Sequence, residues 1–175
     1  IGTDSASSNL TIANNFITGV NGSNWNLFTN SSSMGIGLGI IGNGTTATNA
    51  TGGVNLYHNT VNMYGSMDAV STTALTTALY VGSAVTALDI RNNIFVNNQV
   101  ATSATQKNYA VYSTAAITAF TTMNYNNYYV SNTFNAGSAI LGFLGSDHTS
   151  LAAFQTGFGG NANSSNIAPV FISAA

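Results

Sequence analysis

Cysteine is absent from this 175-residue chain, charge is almost absent, and proline and tryptophan occur once each. Without cysteine no disulfide framework holds the fold. The only cations are Arg91 and Lys107, and the formal net charge is −2. Neutralising several phosphates takes several basic side chains, so nucleic acid is excluded as a partner and anionic membrane surfaces are disfavoured. The acids are Asp4, Asp68, Asp89 and Asp147, with no glutamate. Membrane insertion is not expected, because no apolar run approaches the roughly 20 residues that span a bilayer. The most apolar stretch, Met34 to Ile41, alternates with glycine.

Hydrophobic residues nevertheless make up 45% of the chain, so it is neither too polar nor too charged to fold. Its polarity comes from Asn, Ser, Thr and Gly rather than from ions. The length suits one domain with a real core, taken here as residues 1–175. A start at Ile1 without methionine leads us to expect a segment of a longer chain, or a processed subunit.

Four segments align: Leu10-Thr-Ile-Ala-Asn-Asn-Phe-Ile-Thr18, Val54-Asn-Leu-Tyr-His-Asn-Thr-Val-Asn62, Leu88-Asp-Ile-Arg-Asn-Asn-Ile-Phe-Val96 and Thr122-Met-Asn-Tyr-Asn-Asn-Tyr-Tyr-Val130. The shared asparagine falls at Asn15, Asn59, Asn93 and Asn127, spaced by 44, 34 and 34 residues. The longer interval accommodates an insertion at 43–53. A 34-residue period also suits helical repeats, but the β-branched and aromatic alternation and abundant glycine favour strands. Leu10/Ile12, Val54/Leu56 and Leu88/Ile90 then point to one face, and Ile17, Val61, Phe95 and Tyr129 restore it after the turn. In the fourth copy Asn124 stands where the others have Ile or Leu, a departure near the end of the stack. Asn tolerates left-handed backbone, and its amide bonds to the next copy in a ladder. A second strand follows each turn, at 35–41, 78–81, 109–112 and 138–141. In the tail, Ser150 to Gln155 predicts a short helix capped by Thr149 or Ser150, and Pro169 to Ile172 a last strand.

The Leu-x-Ile-x-Asn-Asn-Ile-Phe-Val repeat resembles the right-handed parallel β-helix coil of the pectate-lyase-like superfamily. Asn124 to Tyr129, the short helix, Asn161-Ala-Asn-Ser164 and Ala168-Pro-Val-Phe171 are similar to the terminal coils of large secreted proteins of Bacteroidetes-type bacteria. The resemblance implies an all-β fold, a right-handed parallel β-helix (β-solenoid) of four to five coils with a short C-terminal helix. It also implies a secreted, cell-surface location. Fold of this kind does not fix function, since the same coils serve lyases, adhesins and passive stalks.

Chemistry is sparse. No two carboxylates are matched between successive copies, as a glycosidase pair would require. Asp89 and Arg91 share an outer face, and read either as an acid–base pair or as a surface ion pair. His58 reads as a general base or metal ligand, or as a substitution in a polar ladder. Asp147-His148 reads as two cation ligands or as a cap to the following short helix. No metal or cofactor site is assigned. Tyr57, Arg91 and Tyr125 occupy one outward position on successive coils, a stripe suited to carbohydrate, with Tyr128, Tyr129 and Trp25 as further rings. Asp4-Ser5-Ala6 resembles a bacterial O-glycosylation site at Ser5. Asn-x-Ser/Thr sequons begin at Asn9, Asn21, Asn30, Asn43, Asn49 and Asn163.

The expectation is therefore a non-catalytic structural or adhesive module, stacked end to end with copies of itself or with adjacent coils, and contacting glycans. Carbohydrate binding or cleavage is the first alternative. Ice binding is the second, resting on Thr72, Thr73, Thr76 and Thr77, which cluster in one coil rather than repeating.

Overall fold

The computed structural model describes residues 1–20, 34–42, 50–67, 73–135 and 138–171. Among these, strands dominate, and they follow one another through three sheets in rotation. The first sheet holds β1 (Leu10–Ala13), β4 (Thr51–Tyr57), β7 (Val85–Arg91) and β10 (Phe120–Asn124). The second holds β2 (Phe16–Thr18), β5 (Thr60–Ser66), β8 (Ile94–Val100) and β11 (Asn127–Val130). The third holds β3 (Met34–Ile40), β6 (Leu75–Val81), β9 (Lys107–Ser113) and β12 (Ala139–Leu144), with β13 (Asp147–His148) added antiparallel. All other pairings are parallel. The fold is all-β, with stacked parallel sheets and one short helix, α1 (Leu151–Phe158).

Residue alternation explains the layering. Leu10, Val54 and Leu88 stand one above another, as do Ile12, Leu56 and Ile90. Val54, Leu56, Leu88 and Ile90 are completely buried in one core with Val61, Met63, Phe95, Val111 and Leu141. In β9, Ala110 and Val111 both join this core, whereas Tyr109 and Tyr112 join a second apolar cluster, so the strand bends between the two faces. There Tyr80, Tyr112 and Phe143 stack ring on ring, with centroids 6.2 and 4.5 Å apart.

The fourth rung corrects the sequence alignment. A bulge in β10 places an extra residue between Phe120, opposite Leu88, and Thr122, opposite Asp89. Met123, not Asn124, therefore lies beside Ile90 and enters the core. Tyr128, not Tyr129, lies beside Phe95 and is fully buried. The apparent break in the apolar column was a one-residue slip. The 43–53 insertion is corrected as well: 43–49 lie outside the described residues, but Thr51–Gly53 belong to β4.

The helix α1 lies across the last rung. Phe154 packs on Tyr128 (4.6 Å) and on Phe158 (4.3 Å), and Phe158 meets Phe120 edge-on at 5.3 Å. Gly142 makes room, since a Cβ there would collide with the Phe154 ring. Ser150, not Thr149, is the cap: its Oγ accepts from the Ala153 N–H at 3.2 Å. The strand expected at 169–172 is absent over 169–171, and Ile172 lies outside the described residues. Instead the Asn127 amide clamps the Ile167 backbone through both its groups (2.8 and 3.0 Å), Val170 is 88% exposed, and Phe171 rests on Phe16 at 6.1 Å.

Candidate functional site

Four asparagines form a file through the stack, and its last member is Asn126 rather than the expected Asn127. The amide nitrogen of Asn15 donates to Oδ1 of Asn59 (2.9 Å), that of Asn59 to Asn93 (3.1 Å), and that of Asn93 to Asn126 (3.0 Å). Each accepting Oδ1 also takes the backbone N–H of the preceding asparagine. The second amide proton of Asn59, Asn93 and Asn126 goes to the carbonyls of Ile12, Leu56 and Ile90. Beyond Asn126 the Tyr128 hydroxyl and the Asn161 amide continue the network (2.9 Å each), and Ser164 Oγ receives the Asn126 N–H. Burial pushes the Tyr128 phenol well above its ordinary value. Asn127 is displaced by the bulge and serves the tail instead.

The left-handed corner is also one residue earlier than expected. Asn14, His58, Asn92 and Tyr125 have φ of 60°, 57°, 59° and 57°, and all four are exposed. His58 is thus a corner residue, outside the buried file.

On the outer face of the first sheet the register runs Tyr57, Arg91, Asn124, so Tyr125 does not belong to that stripe. What Tyr57 and Arg91 do join is Asp89. Arg91 Nε and Nη2 donate to the two Asp89 oxygens at 2.7 and 2.5 Å. The Tyr57 hydroxyl donates to Asp89 (2.7 Å) and accepts from Arg91 (2.9 Å), while the guanidinium sits 5.0 Å from the Tyr57 ring centre. The hydrogen bonds it donates to Asp89 and then Tyr57 hold the Arg91 guanidinium above its usual range. Partial desolvation, then the bond to Asp89, raises the Tyr57 phenol. Both Asp89 oxygens are consumed and one Tyr57 face is covered, so the cluster is a self-contained ion pair.

Asp147 is consumed likewise, by Lys107 at 2.5 Å and by the Tyr109 hydroxyl at 3.0 Å. Burial, followed by Asp147, pushes Tyr109 upward. His148 neither caps the helix nor turns outward: its ring packs edge-on against Phe158 at 5.8 Å, over Gly157, where a Cβ would collide with the imidazole. Among the described residues no three His, Cys, Asp or Glu side chains gather to hold a metal. Ser5 is half-buried, bridges Thr51, and its Oγ accepts from Ser7 N–H at 3.3 Å. Thr76 and Thr77 are buried, which removes them from any exposed threonine array; Thr72 lies outside the described residues. So do Asp68, Trp25, Asn21, Asn30, Asn43 and Asn49, whereas Asn9 and Asn163 are exposed.

The feature that sequence reading missed is a groove of about 360 Å³ between the outer edge of β10, where Asn161 N–H donates to the Met123 carbonyl, and the turn after α1. Phe120, Thr121, Thr122, Met123 and Asn124 form one wall, and Ile117, Phe158, Gly159 and Gly160 face it. Gly159 and Gly160 have φ of 69° and 70°, and a Cβ on Gly160 would lie 2.9 Å from the Met123 carbonyl oxygen. The glycine pair alone signalled this close approach in the sequence.

The fold therefore defines an all-β protein of stacked parallel sheets. Comparison adds no narrower name, because no family model, curated protein or solved structure matches the chain.

Proposed function

We propose that the chain is a single right-handed parallel β-helix domain serving as a non-catalytic structural or adhesive module outside the cell. The rotation of successive strands through three parallel sheets supports the coil reading, and the Asn15–Asn59–Asn93–Asn126 file supports a rigid rod. The observation that carries the non-catalytic reading is the fate of the two carboxylates on strands, Asp89 and Asp147; Asp4 is exposed near the start of the chain and Asp68 lies outside the described residues. Asp89 and Asp147 lie on different sheets, and each is held by a cation and a tyrosine hydroxyl. Neither is free to abstract or deliver a proton. A nearly uncharged, amide-rich surface suits adhesion through hydrogen bonds to neutral partners rather than through ions.

End-to-end fibre growth fits less well. A head-to-tail polymer needs two open ends, and α1 lies across one of them. Incubation with acidic and neutral polysaccharides tests the main reading. No release of new chain ends is expected, and turnover abolished by Asp89→Asn would overturn it.

A further inference from the structure

The two ends of the stack are built differently. Below the last rung each sheet edge is occupied: Ser165 pairs with Asn127 beneath β11, β13 runs antiparallel beneath β12, and Asn161 N–H donates to the Met123 carbonyl of β10. At the other end the sheets stop at β1, β2 and β3, and among the described residues no strand lies beyond them. Leu10, Ile12 and Ile17 are only half-buried there, whereas Val54, Leu56 and Val61, stacked directly on them, are completely buried. The polar groups of this end are equally incomplete. Oδ1 of Asn59, Asn93 and Asn126 each accepts two hydrogen bonds, while Oδ1 of Asn15 has no described donor. Thr60, Ile94 and Asn127 each donate a backbone N–H to the preceding file asparagine's carbonyl at 2.8 Å. Phe16, in register with Thr60, turns the same N–H toward the open side.

Ile1 marks the path of a rung above. Its amino group donates to the Gly39 carbonyl (2.7 Å) and its carbonyl accepts from the Ile41 N–H (2.8 Å). One rung on, the Ile40 carbonyl accepts from Gly82, and on the next the Val81 carbonyl accepts from Thr114 (2.9 Å each). Ile40, Val81 and Ser113 share one parallel register, so Ile1 heads that column as a strand residue stacked on Ile40. A second copy of this chain cannot continue it in parallel, because the edge it would have to offer, its last rung, lies under α1 and the tail. We infer that the first rung is a docking surface for one further coil of parallel strands, supplied by residues joined ahead of Ile1. The coil that fits carries an asparagine to donate to Asn15, apolar residues over Leu10, Ile12 and Ile17, and a strand that passes over Gly39 into Ile1. The inference rests on the coil reading of the fold and names what covers its open end.

The chain holds its own probes. Residues 85–112, copied ahead of Ile1, bring Tyr112 over Gly39 in the register Gly39–Tyr80–Tyr112 and Asn93 over Asn15. A second graft copies 51–80, which brings Tyr80 over Gly39. Amide exchange and thermal melts compare both grafts with the natural chain. Phe16 is expected to exchange fast in the natural chain and to slow by about a hundredfold or more in at least one graft, reaching the protection of Thr60 and Ile94. That graft also melts higher, and Asn93→Ala within the copied coil removes most of the gain. Two grafts that leave Phe16 fast, with Thr60 and Ile94 still protected, overturn the inference and leave the coil reading standing. Fast exchange at Thr60 and Ile94 in the natural chain overturns both. A dimer of the natural chain that protects Phe16 assigns the surface to a second copy and overturns the inference alone.

Discussion

Asn93 shows how much one side chain carries in this fold. Its amide donates to Asn126 and Leu56 and accepts from Asn59 twice, all out of water. Replacing it with alanine strands the Asn59 N–H and removes a partner from the Asn59 amide and the Leu56 carbonyl, an unsatisfied buried group costing about 1–3 kcal/mol. Asn93→Ala is therefore expected to lose about 3 kcal/mol or more in chemical denaturation. The bulge gives a sharper comparison: Asn126→Ala should cost several-fold more than Asn127→Ala, although the sequence repeat alone ranks them the other way. Arg91→Ala, by contrast, removes an ion pair exposed to solvent and should cost under about 1 kcal/mol. The sequence displayed the first three members of the file because Leu-x-Ile-x-x-Asn recurs at a fixed offset. It hid the fourth because Thr121, the extra residue of β10, looks like any other threonine. Asn126-Asn127 then offered two candidates, and counting chose the wrong one.

At the scale of elements, the strands were legible and their closure was not. Periodicity marks Leu88/Ile90 or Val54/Leu56 as a buried pair whatever lies beyond them. Nothing local says that Phe154 and Phe158 will cover the rung below, or that Pro169 to Phe171 will cross strands instead of joining one. Both outcomes depend on contacts between residues distant in sequence, such as Phe154 with Tyr128 and Ile167 with Asn127. Gly142→Ala tests the first of these. Its Cβ would meet the Phe154 ring, so amide exchange over 151–158 should accelerate strongly while Asn59 and Asn93 stay protected. Equal acceleration in both regions would mean that α1 is part of the core's own cooperative unit. Ser150→Ala, which removes the cap alone, should cost about 1 kcal/mol.

At the scale of the whole molecule, tyrosine sets the response to pH. Tyr109, Tyr112 and Tyr128 all have phenols raised by burial from the ordinary value of 10.0. The folded chain therefore keeps protons that the unfolded chain releases. Their contribution to stability is complete below about pH 10 and is lost as pH rises beyond it. Thermal melts should fall steeply above pH 10, and Tyr128→Phe should blunt that fall if it folds. Sedimentation at high concentration should find discrete particles; open-ended filaments would mean that α1 gives way to an incoming coil.

The asparagine file also has a polarity. Each amide-to-amide hydrogen bond runs toward the last rung, and the series begins at the Asn15 side-chain oxygen with nothing described donating to it. That terminal acceptor reads orientation. A coil arriving with the same sense can offer an N–H and lengthen the series, whereas a copy turned upside down brings a second lone pair against the first. This terminal amide of the file thus distinguishes parallel continuation from mirror-like pairing by a single hydrogen atom.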